Sequence, residues 1–410
     1  MTEAVVHPLG LVKVRAEGRS RPLAVHKYLP AAIIYFFLNS AGLPAGLFLT
    51  TIFSPMLYGW LYFEKRRWVS TRFLICLSPF FIAHFFQGVA SPYFYVRSLV
   101  LLWTAYITVY ALCWALLRTV NLERLFDELI AVNFAVFLVA ISLSVTPARN
   151  ILWNNEENVI GASHLYRLKL LTSEPSVYSS LMVPLIVFAI LRLIKTPTRH
   201  NLGYAIMVAL PFLFCQSFEG ISDVSVGVAV ATLVSFRHLL RRKSSLIFLT
   251  ALAALLALLL LVPNPISERL VQVTTGSDSS AHSRTIFSFL VAYTIASSKS
   301  LWWGVGLGQG KMVDVSNLGL GFTVGIIPNA VAGTFAELGI VGVVVRLAVE
   351  IALFFRTRVY LNPFRLAMFI AAFGFQLSGS YLDNAQEYLM WSLAFGPFFP
   401  DMNRYKPEET

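Results

Sequence analysis

Charge is scarce in this chain. Only 13% of its 410 residues are Asp, Glu, Lys or Arg, against roughly 25% in soluble domains. So little charge cannot cover the surface of a soluble fold of this length. Cysteine is scarce too: Cys76, Cys113 and Cys215 each lie inside an apolar stretch. A disulfide framework or a cysteine-ligated metal site is therefore excluded as the organising device. No Asp-x-Asp pair occurs anywhere, so that carboxylate seat for a metal ion is lacking. No repeat of fixed period is visible, and the one low-complexity tract is the apolar run at 251–261.

What abounds is apolar. Hydrophobic residues make up 57% of the chain, with 33 Phe, and the mean hydropathy is +0.69. Lipid can cover such a surface, and α-helices are the elements that cross it with every backbone group satisfied. The pattern predicts a single all-α polytopic membrane domain over 1–410 with about 12 transmembrane helices (11–13). The predicted spans are Leu29–Ala41, Leu43–Phe63, Phe73–Val89, Ser98–Leu117, Leu125–Val145, Val177–Leu193 and Leu202–Phe218. Val224–Phe236, Leu246–Val262, Val331–Phe355, Leu366–Leu382 and Tyr388–Phe399 follow. The first 27 residues are polar and basic and show no cleavable signal.

The net charge of +11 follows these spans. Of the 32 basic residues, 23 fall in short loops on one side, which the positive-inside rule makes cytoplasmic, together with both termini. The charge is thus a topology signal and not a nucleic-acid-binding face. Two loops on the opposite side are longer than topology requires, 147–175 and 263–329. The second carries an apolar segment, Thr285–Ala296, that suits an interfacial or re-entrant helix.

Eight bases map to the outer side: Arg97, Arg149, Arg167, Lys169, Arg269, Arg284, Lys299 and Lys311. Arg346 lies inside a span four residues before Glu350 and reads as an i,i+4 pair snorkelling towards the cytoplasm. Acids gather at outer span ends. Glu174 precedes a span, Glu219 and Asp223 flank a tight turn, and Asp383 and Glu387 flank another. Glu337 falls two turns into its helix, where a carboxylate is costly unless a cation or water compensates. Bases and acids converging on one face describe a polar cavity open to the outside, suited to an anionic substrate with a lipid anchor.

Three segments stand out. The first is Arg167-Leu-Lys-Leu-Leu-Thr-Ser-Glu-Pro-Ser176. The second is Ser283-Arg284 followed by Trp302-Trp-Gly-Val-Gly-Leu-Gly308. The third is Pro328-Asn329 followed by Ala336-Glu337-Leu-Gly339-Ile-Val-Gly342. Backbone N–H groups of Gly304, Gly306 and Gly308 could cradle a phosphate. Without a strand–turn–helix context, a Walker or Rossmann reading is rejected.

In order and spacing these segments resemble the O-antigen ligase and polymerase superfamily, and more closely its Wzy-type O-antigen and exopolysaccharide polymerases. The likeness covers roughly 167–345; elsewhere only hydropathy and span number match. Arg167 and Leu171 match the Arg-x3-Leu pattern of the superfamily's lipopolysaccharide ligases. Those ligases also carry a catalytic His separated by ten intervening residues from a Gly, and here Pro328 stands in the place of the His, eleven positions before Gly339. The missing His shifts weight from ligase to polymerase.

The resemblance implies a GT-C-like, metal-independent glycosyltransferase of the bacterial inner membrane, without a cofactor, working on the periplasmic side. It would move a glycan from undecaprenyl diphosphate onto a second lipid-linked repeat unit, alongside a flippase and a chain-length regulator. Leaving diphosphate needs cations, and the Arg fork suits phosphate oxygens; Arg284 and Arg167 are expected there, then Arg97. Glu337, then Glu174, is expected to accept the proton of the incoming hydroxyl. Asn329, Asp383 and Glu219 are expected to contact sugar. Two alternatives remain: ligase-type transfer to lipid A core or another acceptor, and a transporter or flippase for lipid-linked sugars. Transporters tend to place charge at the midplane, whereas here it gathers at one face.

Overall fold

A computed structural model describes residues 29–33, 35–36, 42–43, 47–65, 70–118, 122–154, 166–239, 250, 271–272, 275, 282–315 and 327–402. The fold is all-α apart from two minimal ladders. After a one-turn helix at Leu29–Ile33 come α1 (Leu49–Lys65), α2 (Ser70–Gln87), α3 (Pro92–Arg118) and α4 (Leu122–Leu143). These are followed by α5 (Pro175–Lys195), α6 (Arg199–Phe214), α7 (Phe218–Leu239) and α8 (Ser288–Ser297). The last three are α9 (Ala330–Arg356), α10 (Pro363–Ser378) and α11 (Ala385–Phe395). The ladders pair β1 (Gly42–Leu43) with β2 (Leu47–Phe48) and β3 (Trp153–Asn154) with β4 (Arg167–Leu168), both antiparallel.

Four stretches are long and apolar enough to cross a membrane: Pro92–Cys113 in α3, then α4, α5 and α9. Shorter apolar helices lie in α2, α8 and α10. The chain is a multi-pass membrane protein. The spans predicted near 73–89, 98–117, 125–145, 177–193 and 366–382 fall on α2, α3, α4, α5 and α10, with shifted ends. The span predicted at Leu246–Val262 lies outside the described residues, apart from Thr250. In the first predicted pair, the β1–β2 rung delays helix formation to Leu49.

The core gathers around α5, 83% buried over its most apolar window, whereas α9 is only 22% buried and shows its apolar side outward. Phe126, Phe188, Phe364 and Phe399 interlock there, with ring centroids 4.6 to 6.3 Å apart. Polar side chains set where helices begin. Asn329, Asn362 and Asn384 cap α9, α10 and α11, each accepting a backbone N–H from the first turn.

Two expectations are corrected. Glu219 and Asp223 do not flank a turn; both lie inside α7. The turn is Cys215–Ser217, where Gln216 adopts φ 48°. Gly220, which suggests a turn in the sequence, is a packing glycine: a Cβ there would meet Ser179 Oγ of α5 at 1.8 Å.

The span predicted at Val331–Phe355 is not one straight helix. Gly339 takes φ 67° and ψ −167°, a conformation open only to glycine. Thr334 and Arg346 would stand about 18 Å apart along a straight helix, yet Arg346 Nη1 donates to Thr334 Oγ1 at 3.1 Å. A Cβ on Gly342 would meet the Leu338 Cβ at 2.4 Å and Thr334 Cγ2 at 3.3 Å. Residues 330–338 and 340–356 therefore lie side by side as a helical hairpin. The first arm, about 13 Å long, is too short to cross alone.

Candidate functional site

The hairpin apex is built together with the glycine run. Breaking a helix at Gly339 orphans carbonyls of the first arm and N–H groups of the second. The run at 301–306 satisfies both sets. Val305 N donates to Ala336 O and Gly306 N to Glu337 O, each at 3.0 Å; Ile340 N and Val341 N donate to Leu301 O and Trp302 O at 2.9 and 3.2 Å. Backbones this close leave no room for side chains. A Cβ on Gly304 would sit 2.4 Å from the Glu337 carbonyl carbon, and one on Gly339 would sit 2.3 Å from Trp302 C. The glycine amides expected to cradle a phosphate are engaged within the protein instead: Gly304 N donates to Ser300 O at 2.8 Å, Gly306 N to Glu337 O, and Gly308 N to the Glu337 carboxyl.

His84 of α2 anchors the run from behind. Its Nε2 lies 2.9 Å from Trp303 O and its Nδ1 3.1 Å from Tyr95 Oη. Since a carbonyl only accepts, Nε2 carries the proton and Nδ1 accepts from the tyrosine. Beyond the run, Gln309 makes a two-bond lock with Ser91 ahead of α3. Its Oε1 accepts from Ser91 N and its Nε2 donates to Ser91 O, both at 2.8 Å. Gly308, φ 67°, lies so close to α3 that a Cβ would meet Phe94 O at 2.5 Å and Ser98 Oγ at 2.4 Å.

Between these parts lies a cavity of about 450 Å3. Six of the eight residues singled out in the sequence line it: Glu337, Glu174, Arg284, Arg97, Asp383 and Glu219. They come from six different places, namely the α9 hairpin, the head of α5, the π-helical segment Ser283–Phe287 leading into α8, α3, the α10–α11 turn and α7. Arg167 and Asn329 do not line it. Arg167 is buried on β4, where its Nε donates to Cys215 O at 3.1 Å and ties that strand to the α6–α7 turn. Asn329 spends its side chain on backbone. Its Oδ1 accepts from Ala332 N at 2.9 Å, and its Nδ2 donates to Arg284 O and Leu377 O at 3.1 and 2.7 Å.

On one wall, Arg284 Nη1 pairs with Glu219 Oε2 at 2.6 Å and reaches Ser378 O at 3.2 Å. Ser378 Oγ donates to the other Glu219 oxygen at 3.0 Å. Gly379 makes room for this pair, since a Cβ there would meet Glu219 Oε1 at 2.0 Å. On another wall, the Glu337 carboxyl takes the backbone N–H of Gly308 and faces Asp383 and Lys311. Asp383, in the α10–α11 turn, has its carboxyl pushed up by burial, against the opposing pull of Lys311 and Arg97. Burial likewise raises the nearby Tyr381 phenol, with Glu174 adding to the shift. Glu174 stands at the exposed edge just before α5, its side chain making no capping bond, and accepts from Ser176 Oγ at 3.2 Å.

Lys311 lines the same cavity but was given no role in the sequence reading, which placed it only as an outer base. The usable signal is its place three residues beyond the glycine run.

Arg346 makes the expected bond to Glu350, at 3.2 Å, yet it does not snorkel. Its side chain is 13% exposed and also binds Glu387 of α11 and, at 3.1 Å, Gln376 of α10. Glu387 further accepts from Ser380 Oγ at 2.6 Å and Trp391 Nε1 at 2.9 Å. This network joins both hairpin arms to α10 and α11. Burial by partners from other helices keeps the guanidinium from reaching a membrane face. Among the described residues, no group of three His, Cys, Asp or Glu could hold a metal ion. Compared with protein-family models and with curated protein sequences, the chain matches none.

Proposed function

We propose that this chain is a Wzy-type polysaccharide polymerase, a GT-C-like membrane glycosyltransferase with about 12 spans acting at the periplasmic face of the bacterial inner membrane. Its donor and acceptor are oligosaccharide repeat units on undecaprenyl diphosphate, and its product is a surface polysaccharide. The observation that carries this reading is the meeting of Arg97, Arg284, Glu174, Glu219, Glu337 and Asp383 around one cavity in a multi-pass membrane protein. Such a reaction needs cations for a leaving diphosphate and a carboxylate for an incoming hydroxyl.

In this scheme the acceptor hydroxyl oxygen bonds to the donor's anomeric carbon. The bond from that carbon to the diphosphate oxygen breaks, and the lipid diphosphate leaves on arginine. The hydroxyl proton passes to Glu337, with Glu174 as the second candidate. Glu219 and Asp383 hold sugar hydroxyls. Both termini lie in the cytoplasm, and a flippase and a chain-length regulator are the expected partners.

The test is purified protein in lipid nanodiscs supplied with a lipid-linked oligosaccharide and no ion gradient. Polymerase activity lengthens the lipid-linked glycan. Transfer to lipid A core alone would make the chain a ligase, and absence of any transfer would remove the enzyme reading. Arg284→Ala is expected to abolish polymer while the protein still inserts; normal chain lengths in that variant would refute the role of Arg284.

A further inference from the structure

Both cationic walls of the cavity face carboxylates, but they are built differently. Arg284 is already matched: Glu219 sits 2.6 Å away, held by Ser378 Oγ and accommodated by Gly379. An anion arriving there meets a neutral pair whose carboxylate is wedged in place. On the other wall, Lys311 and Arg97 come from separate elements and both act on Asp383, while Lys311 also faces Glu337. Lys311 is exposed, and its ammonium lies 6.0 Å from the centre of the Phe94 ring.

The juxtaposition is built in. Lys311 rides on the short turn Gln309–Met312. Gln309 clamps that turn to Ser91 with two bonds, and Gly308 permits contact with Phe94 and Ser98, one turn and one residue from Arg97. The turn that carries Lys311 is thereby held against the stretch of α3 that carries Arg97, and both residues line the cavity.

We propose that Lys311 completes, with Arg97, a diphosphate subsite separate from the Arg284–Glu219 pair, and that the lipid carrier's headgroup rests there beside Glu337. The subsite rests on the polymerase reading of this cavity but assigns the headgroup to a different wall and adds a residue to it. A compact, strongly hydrated ammonium and a planar guanidinium offer complementary donors to a diphosphate's oxygens. The chemistry recognised is the diphosphate ester; the glycan beyond it is read elsewhere in the cavity.

The experiment is calorimetric titration of the detergent-solubilised full chain with farnesyl diphosphate, using farnesol as the headgroup-free control. Wild type, Lys311→Gln, Lys311→Arg, Arg97→Gln, Arg284→Gln and the distant surface variant Arg124→Gln are compared, with thermal melts recorded for each. We expect Lys311→Gln and Arg97→Gln to weaken diphosphate binding at least tenfold with unchanged melting. Lys311→Arg should stay within threefold of wild type, and farnesol binding should not change. Loss of binding in Arg284→Gln with wild-type affinity in Lys311→Gln would overturn the subsite and leave the polymerase reading standing. Wild-type protein that binds farnesyl diphosphate no better than farnesol would overturn both.

Discussion

The fold-back at Gly339 can be tested by adding one methyl group. In Gly339→Ala the new Cβ would lie 2.3 Å from both Trp302 C and Trp302 O, and the backbone would keep φ 67° and ψ −167°. Holding a non-glycine residue in such a region costs about 1–3 kcal/mol, and forcing atoms into a packed contact costs about 1–3 kcal/mol more. Moving the chain instead would break the four backbone bonds between 301–306 and the hairpin, each worth about 1 kcal/mol. Either route costs about 2–6 kcal/mol, a large share of the roughly 5–15 kcal/mol typical of folded domains.

Gly304→Ala strikes the same interface from the other side, its Cβ meeting the Glu337 backbone at 2.4 Å. Once one substitution has pushed the glycine run off the hairpin, the second has little left to disturb. Thermal unfolding in detergent, followed by tryptophan emission from Trp302 and Trp303, gives the readout. Each single variant should melt several degrees lower, by about 2 °C per kcal/mol as for larger domains. The double variant should fall clearly short of the sum, because the sites share partners. A Gly339→Ala protein melting with the wild type, or two full and additive losses, would refute the fold-back.

Three other outcomes are expected. Arg346→Met strands Glu387, 2% exposed, as a buried unpaired charge, and should destabilise by about 3–5 kcal/mol. Adding Glu387→Gln should restore at least half of that in the same melt; a double variant no better than the single one would remove the network from the account. Asp383 titrates above the ordinary carboxylate range because it is buried, and it faces Lys311, Arg97, Glu337, Tyr381 and Tyr388. Acidification protonates it and removes its charge from beside Lys311 and Arg97, so farnesyl diphosphate binding should tighten as pH falls through that raised range. The ratio of Asp383→Asn to wild-type affinity cancels the ligand's own protonation. It should exceed one at neutral pH and approach one in acid; a ratio that does not change with pH would exclude Asp383 as the competitor. Finally, Gly379→Ala should push Glu219 off Arg284 and lower polymer yield, while polymer unchanged in amount and length would separate that pair from the chemistry.

Hydropathy located most of the described helices, since a long apolar run carries its own signal, and α3, α4 and α5 fall where the sequence put them within several residues. It could not see the reversal inside α9. Both arms are apolar, and hydropathy has no sense of direction, so only Gly339 marked the spot and glycine has many uses. The nine-residue first arm, 330–338, is too short to cross, which leaves 340–356 for any crossing there. The residues that meet at the cavity were visible as charges that topology did not need. Arg167 was visible by the same logic yet faces a backbone carbonyl, because nothing in a sequence tells which way a strand residue points. The Arg346 network was half legible. Glu350 is a neighbour along the helix, whereas Gln376 and Glu387 arrive from helices whose packing the sequence does not reveal.

Among the described residues, the cavity walls carry three cations, Arg97, Arg284 and Lys311, against four carboxylates, Glu174, Glu219, Glu337 and Asp383. Taken formally, the room is close to neutral and slightly acidic. Such a room does not draw free phosphate from solution by long-range attraction, and its capture rate should depend little on salt. An anion enters by exchanging partners, one carboxylate yielding its cation as the ligand arrives. Only a guest whose hydroxyls also engage the released carboxylates recovers what the exchange disrupts. On the proposed polymerase reading, charge balance would screen for molecules that bring sugar and diphosphate together, before any contact specific to a particular sugar is made.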